Sequence, residues 1–439
     1  MRPFARGLGL AIVLCSALLI SPLRAAESFP LKDGDVWVMA GDSITAQHLH
    51  SNYFEAFCYA RYPNLKFSFR NSGVGGDTIP KVLARFDWDV AAWKPTVVSV
   101  ELGMNDQGGY SVPQFIENMG KLADKIKAIP ARPAMLTSSP MNNGDTNEKI
   151  GGNKKLHEFA EALKTFATSQ SYAFSDQFHV VIDVWGHNKP REPLAMLKSQ
   201  CEAAVKDDKL PGVEHLKAFL AELSKDPAPL VAMQGDAVHP GPPGQLVMAA
   251  ALLKGLNAEG FVSSATLDAT GKVVEAKGCT IENAKVDNGV LSFTRLDTSI
   301  AFPIQDEARP VIKLYPTVLD LSQYMLKVSG LSAEKYALKI NGAEVAVISA
   351  KELDAGINLT DFAQGPIAAQ GKAVLSAVGA KEGLVGQWRA TSKGALAADA
   401  TPEVKQKLSA LALAVEEADS KIRAAAKPVS LSFELSPVK

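Results

Sequence analysis

From Asp35 to about Leu256 the chain alternates short apolar runs with segments of helical periodicity. The strand candidates are Val36 to Ala40, Lys66 to Arg70, Thr96 to Leu102, Ala134 to Ser138 and His179 to Val184. Between them, positions such as Tyr53, Phe54, Phe57, Cys58 and Arg61 fall on one helix face. Runs like Val97-Val98-Ser99-Val100 are apolar almost throughout, the pattern of parallel strands covered on both sides. This alternation predicts a doubly wound α/β domain over residues 27–256. From Trp185 to Pro229 a polar, Lys-rich stretch that reads as helical interrupts the last crossover. It reads equally as a wall or lid beside the carboxyl edge of the sheet and as a structural excursion.

After Leu256 the period shortens to two. Gly289-Val-Leu-Ser-Phe-Thr-Arg, Pro310-Val-Ile-Lys-Leu-Tyr, Tyr336-Ala-Leu-Lys-Ile and Val429-Ser-Leu-Ser-Phe-Glu-Leu alternate apolar with polar, and Asn341-Gly342 is a type I′ hairpin signal. Residues 257–439 are therefore expected to form a mainly antiparallel, β-rich accessory domain. Within it, Thr401-Pro402 opens a helix over about 402–426. Its stripe of Val404, Leu408, Leu411, Val415, Ala418 and Ile422 should pack onto that same domain rather than pair as a coiled coil.

Residues 1–26 change the setting. Arg2 and Arg6 precede an apolar run from Leu8 to Ile20, and Ala25-Ala26 follows, which reads as a secretory signal peptide cleaved near Ala25. The expected protein is exported, to the periplasm or the extracellular space, and later runs are too short or too polar to cross a membrane. Cys15 lies in the leader behind Leu14, which argues against lipid anchoring. The remaining Cys58, Cys201 and Cys279 are too few and too scattered to frame the fold; at most one pair forms. With 46 basic and 47 acidic side chains, the chain offers no electrostatic footprint for nucleic acid or an anionic membrane.

Four blocks fall at or near strand ends: Gly41-Asp42-Ser43, Asn71-Ser72-Gly73-Val74-Gly75-Gly76-Asp77-Thr78, Gly103-Met104-Asn105-Asp106 and Asp236-Ala237-Val238-His239-Pro240. Taken singly, each has a plain explanation. Ser43 could N-cap a helix, Gly73 to Gly76 could be a turn, Asn105 a cap, and Asp236 with His239 a capped loop or two metal ligands. Taken together they supply what acyl transfer needs. Ser43 is the hydroxyl nucleophile, His239 the base that takes its proton, and Asp236 the carboxylate that fixes the imidazole tautomer. The N–H groups of Ser43 and Gly76 and the amide of Asn105 would receive the oxyanion.

On these blocks the sequence resembles the SGNH (GDSL-like) serine hydrolases over roughly residues 35–256, with Ile44 where Leu is usual. The resemblance implies a flavodoxin-like three-layer fold and ester hydrolysis through an acyl-serine, without cofactor. Residues 257–439 carry no usable likeness. Competing motifs fail. A dinucleotide fingerprint would need glycine where Thr78 stands, there is no Gly-x-Ser-x-Gly elbow, and the histidines lack metal-ligand spacing. His157-Glu158 reads as an exposed helical pair.

Candidate substrate contacts are Asp42, Asp77, Asp106, Gln107 and Trp185. The loops Asp106 to Tyr110, Asn142 to Asp145, and Trp185 with His187 are polar and aromatic, surfaces that suit a sugar. A long acyl chain would want an apolar trough worth roughly 0.8 kcal/mol per methylene. The expectation is a short-chain, acetyl-type esterase acting on a small-molecule or glycan ester. A lipase or lysophospholipase with the same residues, and a non-catalytic envelope carbohydrate-binding or scaffold protein, are the alternatives.

Overall fold

A computed structural model of the chain describes residues 29–142, 149, 151–188, 199–224 and 231–438; the expected leader lies outside them. Five strands, β1 (Asp35–Gly41), β2 (Phe67–Gly73), β3 (Val97–Glu101), β4 (Arg132–Leu136) and β5 (Ala173–Ser175), form a sheet of order β2-β1-β3-β4-β5 in which every pairing is parallel. That is the flavodoxin-like three-layer order, whose ligand crevice lies at the carboxyl ends of the strands. Both faces are covered, which explains the unbroken apolar runs. Trp37 and Met39 of β1 join Tyr53, Phe54 and Phe57 of α2 (His50–Arg61) on one side. Val38 and Ala40 join Val82 and Phe86 of α3 (Ile79–Asp89) and Phe115 of α4 (Val112–Lys127) on the other. A single turn, α1 (Ser43–Ala46), precedes α2; α5 (Gly151–Ser169), α6 (Gln177–Asn188), α7 (Val213–Ser224) and α8 (Pro242–Gly255) complete the unit.

The fifth strand is not where the apolar run placed it. His179 to Val184 lies inside α6, and the strand is the three-residue Ala173–Ser175. Asp176 explains the switch. Its carboxylate accepts the His179 N–H at 3.0 Å, an N-cap that starts a helix whose Val181, Ile182 and Val184 are buried in the same core as α8. Burial against a neighbouring helix outweighs the weak strand preference of Val and Ile. His157, expected to be exposed, is half-buried, with its Nδ1 2.9 Å from Nε2 of His179. Of the insertion, 199–204 are helical and α7 follows; residues 189–198 and 225–230 lie outside the described residues. Cys58, Cys201 and Cys279 are free thiols. Among the described residues no helix is long and apolar enough to cross a membrane.

The C-terminal region is mainly β. Strands β6 (Phe261–Asp268), β7 (Val273–Lys277), β10 (Gln323–Ser329) and β13 (Ile357–Asn358) make a sheet of order β13-β10-β6-β7. Strands β8 (Cys279–Asp287), β9 (Val290–Asp297), β11 (Lys335–Ile340), β12 (Ala343–Ser349) and β14 (Leu431–Val438) make another, of order β12-β11-β14-β9-β8. Leu267, Leu326 and Val328 of the first share one core with Phe293, Leu338 and Phe433 of the second. Only β6 with β10 pairs in parallel; the other pairs are antiparallel. Asn341 and Gly342 both take positive φ, 48° and 78°, as a type I′ turn requires.

Two long helices interrupt this region: α9 (Pro366–Ala395) and α10 (Pro402–Ala425). The second was expected; the first was not, because its five glycines depress helix propensity. Its buried positions nevertheless form a regular stripe, Gly371, Val374, Val378, Lys381, Val385, Trp388, Ser392 and Ala395. Helix α8 ends at Gly255, and the packing of the α/β part continues beyond it. The core holding Trp37 and Phe54 also contains Ile300, Phe302, Val374, Val378 and Ile422.

Contrary to expectation, α10 packs on α9 and on the α/β sheet rather than on the β region alone. The two helices cover β2, the sheet's edge. Arg423 donates to the Leu65 carbonyl at 2.9 Å and also to that of Phe67, Lys381 donates to Phe69 at 2.9 Å, and Arg389 donates to Gly73 at 3.0 Å. Cations thus take the carbonyls that an added strand would otherwise pair, closing an exposed edge without a sixth strand.

Candidate active site

The first block is built around a close approach. A Cβ on Gly41 would stand 2.0 Å from the Thr45 hydroxyl, and one on Gly73 would stand 2.4 Å from the Ala46 nitrogen, so α1 lies flush on the ends of β1 and β2. The cap of α1 is Asp42, whose carboxylate accepts the Ile44 N–H at 2.9 Å. Ser43 is therefore not the cap. Its half-buried hydroxyl faces His239, with Oγ to Nε2 at 2.8 Å. The helix behind it is one turn long, so the dipole expected there is small.

Residues 234–240 form a closed loop, with Gln234 bridged to Pro240 and the Gly235 N–H bonded to the His239 carbonyl at 2.8 Å. Asp236 organises it. One carboxylate oxygen accepts the Val238 and His239 N–H groups at 2.7 and 2.8 Å, and the other meets His239 Nδ1 at 2.8 Å. The His239 backbone N–H, then its ring, then the Val238 N–H hold this exposed carboxylate down at about 2. With Nδ1–H donated to Asp236, the lone pair of Nε2 faces Ser43. The loop is tied to the neighbouring strand connection by the Asn142 N–H, 2.8 Å from the Ala237 carbonyl.

Gly76 has a positive φ of 73°, and among the described residues neither its N–H nor that of Ser43 has an acceptor. The Asn105 amide differs from expectation. Both its protons have acceptors within the protein, the Asp77 carbonyl at 2.9 Å and the Asp42 carboxylate at 3.3 Å.

Four of the five expected substrate contacts are structural instead. Asp42 is fully buried beneath Ser43, and burial, opposed by the Ile44 N–H, pushes its carboxyl up to about 7. Asp77 pairs with Arg85 at 2.7 Å. Asp106 is buried and accepts the Ile79 N–H at 3.0 Å, opening α3; burial raises it to about 6. Trp185 is buried in the core of α6. The sequence could not separate these from solvent-facing loop residues, because a short acid after a strand looks the same capping a backbone as facing a sugar. Gln107 remains half-exposed, its amide bonded to the Met104 carbonyl at 3.1 Å.

Glu101 was missed. Fully buried at the end of β3, it accepts the Thr45 hydroxyl at 2.7 Å, and burial with the nearby Asp42 charge pushes its carboxyl well above the usual range. Its one signal was an acid closing an otherwise apolar strand. Among the described residues no group of three or more His, Cys, Asp or Glu side chains is placed to hold a metal ion.

This order of blocks on this sheet matches a known family over residues 39–247. Residues 39–247 are a GDSL-like lipase/acylhydrolase domain. An acetylxylan esterase of Geobacillus stearothermophilus is 27% identical over 134 residues, 28% of this chain, and the match spans 60% of that protein's length. A gut microbial diltiazem-metabolizing enzyme is 23% identical and shares the fold far beyond the GDSL-like domain: the superposition covers 93% of this chain and 99% of that one, with a TM-score of 0.71. The architecture as a whole, β region and helical pair included, is thus a recurring one.

Proposed function

We propose that the protein is an exported serine esterase that hydrolyses short acyl esters, acetyl above all, on a carbohydrate. The observation that carries the hydrolytic reading is the continuous line Ser43 Oγ, His239 Nε2, His239 Nδ1, Asp236, each contact 2.8 Å, at the carboxyl edge of the GDSL-like domain. Ser43 Oγ attacks the ester carbonyl carbon while its proton passes to His239 Nε2. Asp236 stabilises the resulting imidazolium and remains ionised. The oxyanion forms within reach of the Ser43 and Gly76 N–H groups, and the Asn105 amide joins them by giving up its longer contact to Asp42. Collapse breaks the ester C–O bond, and the alcohol leaves with the proton from Nε2. Water, deprotonated by the same imidazole, then frees the acid from Ser43.

The acetyl and carbohydrate parts of the reading rest on the similarity to the acetylxylan esterase and on the half-exposed Gln107. Export rests on the leader at residues 1–26. The test is acetate release from a panel of acetylated glycans beside p-nitrophenyl esters from acetyl to octanoyl, with Ser43→Ala as control. A rate that falls steeply by octanoyl supports the reading; one that climbs from acetyl to octanoyl replaces it with a lipase.

A further inference from the structure

Resting on the esterase reading above, we propose that Arg389, on α9 of the C-terminal region, is a positioning residue for the loop that carries Gly76. Its guanidinium holds Asp89 through both oxygens, at 2.6 and 2.8 Å, and donates its third bond to the Gly73 carbonyl at 3.0 Å, where β2 becomes the loop. Asp89 is completely buried and accepts the Ser72 hydroxyl at 2.9 Å. It also pairs with Arg85, which reaches the Ser72 carbonyl and the Asp77 carboxylate, each at 2.7 Å. The Asp77 carbonyl in turn takes the Asn105 amide at 2.9 Å. Both ends of the segment from Gly73 to Asp77 are therefore fixed by one buried network. On its other side Gly73 lies against the backbone of α1, which bears Ser43.

Arg389 is itself held in place. The adjoining Trp388 lies against Trp93, in the short turn Ala91–Trp93 that leads into β3, with ring centres 3.7 Å apart and planes tilted by 31°, which holds this turn of α9 against the α/β unit. Two of the three bonds demand a planar fork. Lysine, a point donor on a flexible stem, keeps the charge but cannot hold both Asp89 oxygens and the Gly73 carbonyl. Gly76 has positive φ and open space where a Cβ would stand, and its carbonyl accepts only from the exposed Lys81 ammonium at 2.8 Å among the described residues, so its N–H direction depends on how firmly Gly73 and Asp77 are anchored. A donor aimed at an oxyanion matters in the transition state and little in the ground state.

The experiment compares wild type, Arg389→Lys and Arg389→Met for kcat and KM on p-nitrophenyl acetate, for inhibition by a phenylboronic acid that forms a tetrahedral adduct on serine, and for urea unfolding. The expected result is a kcat lowered roughly tenfold to a hundredfold in both variants, with KM within about twofold and boronate affinity weakened in parallel with kcat. Arg389→Lys keeps the charge beside the buried Asp89 and provides a folded protein should Arg389→Met fail. If both measurable variants keep wild-type kcat and boronate affinity while only the urea midpoint falls, Arg389 is a structural residue and the proposal is overturned. A wild-type protein without turnover on any ester would instead overturn the esterase reading, and this role with it.

Discussion

Lys381 is fully buried on α9, with its ammonium 2.8 Å from Glu55 of α2, 2.9 Å from the Phe69 carbonyl and in contact with Glu382. Lys381→Met keeps the stem and deletes the charge. Two costs follow, and pH separates them. The Phe69 carbonyl loses one of its two buried donors at any pH, keeping Arg70 at 2.6 Å, and the lost hydrogen bond from a charged group is worth about 1–3 kcal/mol. The second cost is an uncompensated buried carboxylate, which brings the total to about 3–5 kcal/mol. Burial already pushes Glu55 up to about 8 with Lys381 in place, Lys381 being the largest influence holding it down. Without Lys381 it rises further. A carboxyl whose folded pKa exceeds its unfolded value gives stability that is present at low pH and lost as pH climbs. The variant should therefore lose about 1–3 kcal/mol near pH 5, where Glu55 is protonated in both proteins, and about 3–5 kcal/mol near pH 10, above the wild-type value of about 8, where the wild type pairs an ionised Glu55 with Lys381 and the variant cannot. Urea unfolding followed by tryptophan fluorescence at the two pH values reads the difference. Equal losses at both, or a loss under about 1 kcal/mol near pH 10, would refute the reasoning.

Three further outcomes are expected. Asp236→Asn leaves the loop geometry but reverses the imidazole tautomer, so kcat should fall by about 10⁴ with KM little changed; a fall under about tenfold would show that Asp236 does not orient His239. Gly41→Ala puts a methyl group into the Thr45 hydroxyl, and the soluble yield and melting temperature should both drop, whereas Gly76→Ala, with open space but positive φ, should fold and lose turnover. In the wild type the raised carboxyls Asp106 (about 6), Asp42 (about 7) and Glu55 (about 8) contribute stability that disappears as pH rises through those values. Buried His50, lowered to about 4 chiefly by burial, contributes stability that disappears as pH falls through 4. Melting temperature should thus peak on the acid side of neutrality; a steady rise from pH 5 to about 9 would contradict these assignments.

The sequence made the α/β sheet legible where chemistry was local and periodic. Four strands lie where the apolar runs put them, and Ser43, His239 and Asp236 come together although 196 residues separate the first two. What stayed hidden depended on partners distant in the chain. His179 to Val184 has the composition of a strand, and only the Asp176 cap and the neighbouring α8 make it helical. Asp42, Asp77 and Asp106 carry the letters of a polar pocket, but Ile44, Arg85 and Ile79 claim them from within. Helix α9 hid behind its glycines, and with it Lys381 and Arg389, cations whose local sequence carries no mark of the β2 edge they cover.

The most direct test of the central claim is to trap the acyl-enzyme. The protein is mixed with p-nitrophenyl acetate, quenched in acid during turnover, digested and mapped by mass spectrometry, with Ser43→Ala alongside. The account predicts an acetyl ester on Ser43 in the wild type, its absence in the variant, and loss of nearly all hydrolysis there. An acetyl group on another residue, or a Ser43→Ala protein that still turns over near the wild-type rate, would contradict it.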